Sequence, residues 1–491
     1  MKSGVPRLVA CAAAGGFAFA GAATLAACGD DEAPIRRGFD VDAAPDADVP
    51  EPTPDAGADA DAALRRGPFD PADEPVTCAD AGPCATRIVA GKSHFCALMS
   101  DGSVQCWGDD EYGALGAGDA TDPDEPTDPM PDPAGAETGV RVVSRVTGAI
   151  ELSAARATTC ARDGEGSVWC WGSNSQGQLG LDDARPSWDE LPHPTPAKVA
   201  LRDPALRVDV GPRSVCAVVA NGGLVCWGTN EQGQLARESR DYVMGPATAE
   251  LGTLAVARTS LGSATSLALT SGGDVFSWGA VAGRDGYLGG RMSSVSPDLA
   301  PNGIASLAKV TSLVVSDSLY KDEGGPLGVA SIGPFPPPPL ETHGHACAIA
   351  DGEVYCWGRS GTGALCTGLP DNELLPAHAP VDGLAWPQQL AVGDEITCAR
   401  MTDGTVRCCG AAAKGRLGTA QTEPFSAFLR PVSSFTGHAV QVATSHRAVC
   451  ALVQGGTVQC WGSNARGELG TGSRDDDAHP VPVKVTFKVV P

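Results

Sequence analysis

The chain of 491 residues is strongly acidic, with 59 Asp and Glu against 35 Lys and Arg and a formal net charge of −24. This acidity excludes DNA or RNA as the main partner and disfavours an anionic membrane surface, because both are bound by clustered cationic side chains. The length exceeds that of one ordinary core, so the chain contains several domains or one large repeat architecture. Eighteen cysteines are typical of a protein made for an oxidising compartment.

Residues 1–27 have the pattern of a lipoprotein signal peptide. Lys2 and Arg7 flank the start of an apolar stretch over residues 8–23, which is too short to span a bilayer. It is followed by Leu25-Ala-Ala-Cys28, which resembles the lipobox of bacterial lipoproteins. The resemblance implies cleavage before Cys28 and lipid attachment to that residue. We expect an exported chain, anchored to the cell envelope on its periplasmic face or at the cell surface, that meets the membrane only through this lipid. An ordinary signal peptide with a chance cysteine is the alternative.

Residues 28–85 are rich in Ala, Asp and Pro and show no apolar period. Such a segment buries too little apolar surface to offset the entropy of the chain, so the composition predicts an acidic disordered tether. Cys78 and Cys84 stand near its end. Their spacing is compatible with a disulfide but leaves the pairing open.

From residue 86 to residue 491 the chain repeats one motif. Each copy runs from Cys-Ala-Leu through a Gly-containing turn to Cys-Trp-Gly and then Gly-x-Leu-Gly, and the basic unit is about 51 residues long. Two short strands around the turn, with further strands before and after them, predict four-stranded sheets and hence an all-β, seven-bladed β-propeller. The Trp position occurs seven times, at Trp107, Trp171, Trp227, Trp278, Trp357, Cys409 and Trp461.

The motif closely resembles the regulator-of-chromosome-condensation repeat, and this resemblance also implies a seven-bladed propeller. The copies depart from the pattern at Leu267 and Ser277 in the fourth unit, at Cys409 in place of Trp, and at Ala236 and Cys366 in place of the closing Gly. The nucleotide exchange and chromatin docking of the family's namesake are not expected of an exported acidic chain, because a fold alone does not determine function.

The repeat frame leaves one predicted strand over at each end of the repeat region. These are Arg87-Ile-Val-Ala-Gly near its start and His479-Pro-Val-Pro-Val near its end. We expect them to share one blade and to close the ring, because a closed ring leaves no open sheet edge.

Six repeats carry a cysteine pair whose spacing follows the hairpin turn. A two-residue turn at 351–352 places Cys347 opposite Cys356, and a three-residue loop at 100–102 places Cys96 opposite Cys106. The sulfurs stay opposed in both cases, which favours disulfides over zinc, whose ligands must converge. The predicted intra-blade pairs are Cys96–Cys106, Cys160–Cys170, Cys216–Cys226, Cys347–Cys356, Cys398–Cys408 and Cys450–Cys460. Cys366 and Cys409 remain, and we expect them to pair between adjacent blades unless they are free thiols.

The repeat contains no recognisable catalytic, cofactor-binding or metal-binding motif. His94 and His345 occupy a position that varies freely among the copies, which indicates a structural role. The stretch 90–93 lacks the upstream glycine of a phosphate-binding loop, and the acidic stretches 119–132 and 475–477 lack the spacing of a calcium loop. We therefore expect no catalytic residue, no cofactor and no metal.

Two units are longer than the rest. The first contains an acidic, Pro-rich insert near 119–139, and the fourth contains about 27 extra residues near 318–344. The second insert includes the candidate partner-binding residues Tyr320, Phe335, Pro336 and Pro337. An aromatic residue beside polyproline forms a stiff contact surface; a tolerated insertion without function is the alternative.

These observations favour a non-catalytic protein-binding scaffold on the cell envelope, which recognises a protein partner through the loops of one propeller face. The identity of the partner is open, although the acidity of the chain would steer a basic protein towards it. A polysaccharide lyase or hydrolase, and a structural component of the envelope, are the alternative functions.

Overall fold

The computed structural model describes residues 74–79, 82–118, 139–181, 188–239, 241–280, 289–295, 297–316, 344–419 and 423–489. Within them, 28 strands form seven four-stranded antiparallel sheets, each made of four consecutive strands. The first strand of each sheet contacts the first strand of the next, and the first strands of the seventh and first sheets also touch, so the sheets form a closed ring. The predicted seven-bladed propeller is confirmed. None of the helices in these residues has the length and apolarity needed to cross a membrane.

The strands are numbered β1 to β28 in chain order. Blade 1 contains Ala85–Ala90, His94–Met99, Val104–Gly108 and Arg141–Val142; blade 2 contains Ala149–Ala155, Thr158–Asp163, Val168–Ser173 and Pro192–Lys198; blade 3 contains Ala205–Val210, Ser214–Val219, Leu224–Thr229 and Val243–Thr248; blade 4 contains Val256–Leu261, Thr265–Thr270, Val275–Gly279 and Asp298–Gly303; blade 5 contains Val310–Val315, His345–Ala350, Glu353–Gly358 and Glu373–Ala379; blade 6 contains Pro387–Gly393, Ile396–Met401, Val406–Ala411 and Phe425–Pro431; blade 7 contains Ala439–Thr444, Ala448–Val453, Val458–Asn464 and Asp475–Lys484.

The antiparallel order gives the propeller two distinct faces. The connections from first to second strand and from third to fourth strand lie on one face, which we call the upper face. The turns between the second and third strands and the connections between blades lie on the opposite, lower face. The second strand of each blade is buried along almost its whole length, because neighbouring sheets cover both of its sides.

The hydrophobic core consists of clusters between adjacent blades, and a buried indole lies in nearly every one. Trp171 of blade 2 donates its Nε1–H to the carbonyl of Ala114 in blade 1, at 3.0 Å. A Cβ atom at Gly116, whose φ is +66°, would lie only 2.7 Å from that indole. Glycine at the end of the Gly-x-Leu-Gly turn therefore serves two needs, a left-handed backbone and room for the next blade's tryptophan.

The predicted intra-blade disulfides are present in six blades. Cys96 and Cys106 face each other across β2 and β3, with their Cα atoms 4.0 Å apart. Met99 N–H donates to the carbonyl of Ser103, so the alternation along the hairpin makes the cysteines a non-hydrogen-bonded pair, where side chains approach most closely. The remaining pairs are Cys160–Cys170, Cys216–Cys226, Cys347–Cys356, Cys398–Cys408 and Cys450–Cys460.

Two further disulfides lie outside the hairpins. Cys366 and Cys409 join blade 5 to blade 6, and Cys78 and Cys84 close a short loop before β1. The link between blades occupies the positions of the closing Gly and the Trp in the repeat. It therefore stands where five of the other blade interfaces have an indole packed on a glycine and the interface of blades 3 and 4 has Trp278 packed on Ala236.

The expectation that the ring closes through a shared blade is wrong. β1 lies in blade 1 and β28 in blade 7, because every repeat supplies four strands of its own and leaves none over. The ring closes through the segments that flank these strands. Thr77 N–H donates to the carbonyl of Gln454 in blade 7 at 2.8 Å, and Lys488 N–H donates to Oε1 of Gln105 in blade 1 at 2.9 Å.

Side chains also protect the inner edges of the sheets. Gln441 of blade 7 accepts from the N–H of Ile88 in blade 1 at 2.9 Å and donates to the carbonyl of the same residue at 2.8 Å. Gln389 of blade 6 makes the same pair of contacts with Val442 of blade 7. These glutamines satisfy backbone groups that an edge strand would otherwise leave unpaired.

The segment at 74–84 packs against the lower face, although the sequence analysis placed it in the tether. Glu74 Oε2 lies 2.6 Å from Nε2 of His438, and its other oxygen lies 3.6 Å from Nη1 of the buried Arg400. A carboxylate is needed here because a buried guanidinium without a counter-charge is costly.

Candidate functional site

The two faces differ in how much their connections vary. On the lower face, the turns within blades have two or four residues and the connections between blades have six or seven. On the upper face, first-to-second-strand connections range from two residues to the span 316–344, and third-to-fourth-strand connections range from 465–474 to 109–140. A scaffold that is constant on one side and variable on the other is typical of a protein whose variable loops carry function.

The two long inserts both belong to upper-face connections. The acidic insert lies between β3 and β4. The insert near 318–344 was expected in the fourth unit, but it lies inside blade 5, between β17 and β18, because the frame of each blade starts at its inner strand. Its candidate contact residues Tyr320, Phe335, Pro336 and Pro337 lie outside the described residues, as does Cys28.

An aromatic pair lies exposed on the upper face, where the loops of blades 2 and 3 meet. Of the nine tryptophans, all of which are described, Trp188 has the most exposed side chain, at 46%. It meets the half-exposed Tyr242 edge to face, with ring centroids 5.8 Å apart. Leu191 is exposed beside them along the chain. Trp188, Leu191, Tyr242, Gln176 and Arg213 form what we call the blade 2–3 patch.

Hydrogen bonds hold this patch in one arrangement. Gln176 Nε2–H donates to the hydroxyl of Tyr242 at 3.0 Å, while its Oε1 accepts from Nε–H of Arg213 at 3.0 Å and from the hydroxyl of Thr229 at 2.8 Å. The Arg213 guanidinium also lies 3.4 Å from Glu231. The patch was not predicted from the sequence, although a tryptophan in a loop outside the repeat frame, such as Trp188, is a usable signal for one.

A polar cavity of about 200 Å³ opens at the centre of the upper face. Residues at the ends of the inner strands of all seven blades line it, and Lys92, Arg156, His446 and Asp209 are its charged or titratable members. Asp209 is already engaged, since it accepts from the N–H of Thr259 at 2.8 Å. The cavity admits a side chain or a few waters but not a folded domain.

The two histidines of the repeat join adjacent blades. Burial lowers the pKa of His94 and of His345 to about 4, so both are neutral at physiological pH. Nε2 of His94 lies 2.8 Å from the hydroxyl of Thr159 in the next blade, and His345 makes the equivalent contact with Thr397 at 2.7 Å. These buried His–Thr contacts support the structural role predicted from the sequence.

Two carboxyl groups, the buried Glu468 and the partly buried Asp110, have pKa values raised by removal from water, and both belong to the turn after the motif tryptophan. Asp110 accepts from the N–H of Leu115, and Glu468 accepts from the N–H of Arg466. In blade 2 the neutral residues Asn174 and Gln178 make the same contacts. The carboxyl groups therefore replace amides in a structural turn. Across the part of the chain that the structure describes, no group of three or more His, Cys, Asp or Glu is placed to hold a metal.

Three segments match the regulator of chromosome condensation (RCC1) repeat: residues 85–114, 165–218 and 351–400. The chain is 26% identical to the ultraviolet-B receptor UVR8 of Arabidopsis thaliana over 80% of each protein. It is 28% identical to the E3 ubiquitin-protein ligase HERC2 of Mus musculus over 66% of this chain, which corresponds to 6% of HERC2.

Solved structures resemble this propeller at the level of the fold. Yeast RCC1 (Prp20), solved with Kap60 bound, superposes with a TM-score of 0.59 at 16% identity, covering 86% of this chain and 89% of that one. Human WBSCR16 superposes with a TM-score of 0.56 at 21% identity, covering 81% and 94%.

Proposed function

We propose that this RCC1-repeat propeller is a non-catalytic protein-binding scaffold that recognises a protein partner through its upper face. The observation that carries the proposal is the contrast between the faces, because variation in connection length is concentrated on the upper one. The exposed aromatic pair lies on that face, and Trp, Tyr and Arg are the residue types that dominate protein interfaces.

Similar proteins support a binding role. One solved structure shows Kap60 bound to yeast RCC1 (Prp20), and another is described together with the binding of Prp20p to Gsp1p and histones. The carboxyl groups of Asp110 and Glu468 replace amides in structural turns, which also supports a scaffold over an enzyme. The net charge of −24 would favour a basic partner at long range.

The flanking segment at 74–84 supports the choice of face. It packs on the lower side of blade 7 and covers part of that face, whereas the upper face remains accessible to a partner there. Sixteen of the eighteen cysteines are described and all sixteen form disulfides, which indicates an oxidising compartment; Cys11 and Cys28 lie outside the described residues. We propose display on the cell envelope through a lipid on Cys28.

A cross-linked pull-down from cell envelopes tests the proposal, with the full chain as bait. The upper-face variant replaces residues 317–343 by a short Gly-Ser linker and adds Trp188→Ala. The matched control is Leu384→Ala, which removes an exposed apolar side chain from a lower-face connection. We expect wild type and the control to capture the same protein and the upper-face variant to lose it. In the same preparation, Cys28→Ser should move the bait from the membrane to the soluble fraction.

Two results would contradict the proposed function. One is the absence of any specific partner for the wild-type bait. The other is a partner that is lost with Leu384→Ala but retained by the upper-face variant, since this would place recognition on the lower face. Circular dichroism and a thermal unfolding curve for each bait verify that it is folded.

A further inference from the structure

We propose that the blade 2–3 patch binds the cationic side chain of a Lys or Arg in a basic segment of the partner. This inference rests on the proposed function and names the chemistry of the partner at one place on the upper face. It follows from three features of the patch: the geometry of its rings, its charge, and its rigidity.

The rings of the patch are arranged to accept a cation. Trp188 and Tyr242 are 46% and 40% exposed and meet at an interplanar angle of 80°. Two aromatic rings at a right angle form two walls of a corner, and each ring presents negative charge density on its face. A guanidinium or ammonium group seated against them gains a cation–π interaction, for which tryptophan is the best partner.

The charge next to the rings is complementary to a cation. Asp189 and Glu190 follow Trp188 directly, and Asp241 precedes Tyr242. Glu231 is held near the patch by Arg213 and remains 43% exposed. Arg240 stands next to Asp241 along the chain, so the four carboxylates outnumber two arginines, Arg240 and Arg213, and the balance remains acidic. His193 pairs with Asp189 at 2.8 Å. An acidic segment would be repelled here, whereas a basic one is attracted.

The patch is also rigid before binding. Gln176 fixes the Tyr242 hydroxyl from one side, and the backbone N–H of Asn230 donates to the carbonyl of Tyr242 at 3.3 Å. Next to Trp188, the N–H of Asp189 donates to the carbonyl of Asn174 at 3.3 Å. A ring that is already held, as that of Tyr242 is, loses little side-chain entropy when a ligand arrives, so more of the interaction energy appears as affinity.

The protein makes intramolecular cation–π contacts with partly exposed rings at two other places. Nζ of Lys198 lies 5.8 Å from the ring centroid of Trp169, and the Arg430 guanidinium lies 5.4 Å from that of Phe428. Phe428 is 42% exposed, close to the values for the patch, but it is covered by the chain's own arginine. Phe428 is therefore a matched control for an exposed aromatic residue away from the proposed site.

Fluorescence anisotropy with labelled peptides tests the inference on the full chain. The probes are three nine-residue peptides that repeat Gly-Ser-Arg, Gly-Ser-Gln or Gly-Ser-Glu three times. We expect the Arg peptide to bind and the Glu peptide not to bind. Trp188→Ala should weaken binding of the Arg peptide about fivefold, Trp188→Phe should stay within about twofold of wild type, and Phe428→Ala should leave it unchanged.

Attraction by net charge alone is the competing explanation, and the variants separate the two. If Trp188→Ala binds the Arg peptide as tightly as wild type does, the inference is wrong. If Phe428→Ala weakens binding as much as Trp188→Ala, the patch is not the site and the inference is again wrong. Trp188 and Phe428 are both exposed, so Trp188→Ala and Phe428→Ala should leave the thermal unfolding curve unchanged. A change in peptide binding is then not caused by unfolding of the variant.

The pull-down and the peptide assay fail independently. In one outcome, capture of the partner depends on the upper face but peptide binding does not depend on Trp188. The proposed function is then supported and this inference is wrong. Peptide binding that depends on Trp188, with no specific partner captured from envelopes, supports the cation site and removes the proposed function.

Discussion

The interface between blades 5 and 6 differs from the other six interfaces in one chemical respect. At each of the six, a buried tryptophan of one blade packs on the turn of the preceding blade, as Trp461 does on Gly418 and Arg416. This turn ends in glycine at five of them and in Ala236 between blades 3 and 4, where Trp278 is retained. Between blades 5 and 6 both partners have changed, the glycine to Cys366 and the tryptophan to Cys409, and a disulfide joins them. The comparison shows that this point is closed in every interface, either by a packed indole or by a covalent bond, and that the covalent bond stands where both motif positions are cysteine.

Removing an indole should have the largest effect. Trp461→Ala leaves a large cavity between blades 6 and 7 and removes the donor to the carbonyl of Arg416, so we expect the free energy of unfolding to fall by about 3–5 kcal/mol. Urea denaturation measures it. Trp188→Ala makes the same chemical change at an exposed position and should stay within about 0.5 kcal/mol of wild type. Equal losses for the two variants would show that the interface indole is not a main source of stability.

Removing the disulfide between blades should have the next largest effect. The bond closes a separation of 43 residues, against 10 for most intra-blade bonds, so the chain-entropy model assigns it about 4 kcal/mol against about 3. Engineered changes usually show less than the model value, and we expect Cys409→Ala to lower the free energy of unfolding by about 2–3 kcal/mol.

A double variant sharpens the comparison of the two interface types. Cys366→Gly with Cys409→Trp restores the Gly and Trp of the repeat motif, so we expect it to be more stable than Cys409→Ala although it has no disulfide at this interface. If the double variant were less stable than Cys409→Ala, the two interface types would not be interchangeable. Denaturation curves under oxidising conditions distinguish these outcomes.

The His–Thr contacts predict a smaller, pH-dependent effect at the interfaces of blades 1 with 2 and 5 with 6. His94 and His345 stay neutral in the folded protein because burial lowers each pKa to about 4, whereas in the unfolded chain they take up protons below about 6.5. Stability is therefore lost as the pH falls. Between pH 7 and pH 5.5 each histidine should cost about 1 kcal/mol.

Urea denaturation at the two pH values measures this effect. His94→Gln should reduce the difference between the two pH values by about half of the combined contribution of the two histidines. An unchanged difference in His94→Gln would show that this histidine is not the group that titrates.

The repeat frame and the hairpin cysteines were predictable because both depend on contacts between residues close in the chain. A turn of known length fixes which residues oppose each other, so Cys347 and Cys356 follow from local register alone. Ring closure was predicted incorrectly, since a count of spare strands ignores the flanks at 74–84 and 485–489. The blade 2–3 patch was missed because Trp188 and Tyr242 come together only when two loops of different blades meet, and no repeat position marks either residue.

The absence of a shared blade has a consequence for the topology of the chain. Each blade is one uninterrupted stretch, and the join between blades 7 and 1 repeats contacts that also occur between successive blades. In topological terms the propeller is a ring of equivalent units, and the interface at which the chain termini meet could be any of the seven. A circular permutant opened within a blade-to-blade connection such as 380–386 would cut through no sheet, and a whole blade is the natural unit by which such a ring can lengthen or shorten.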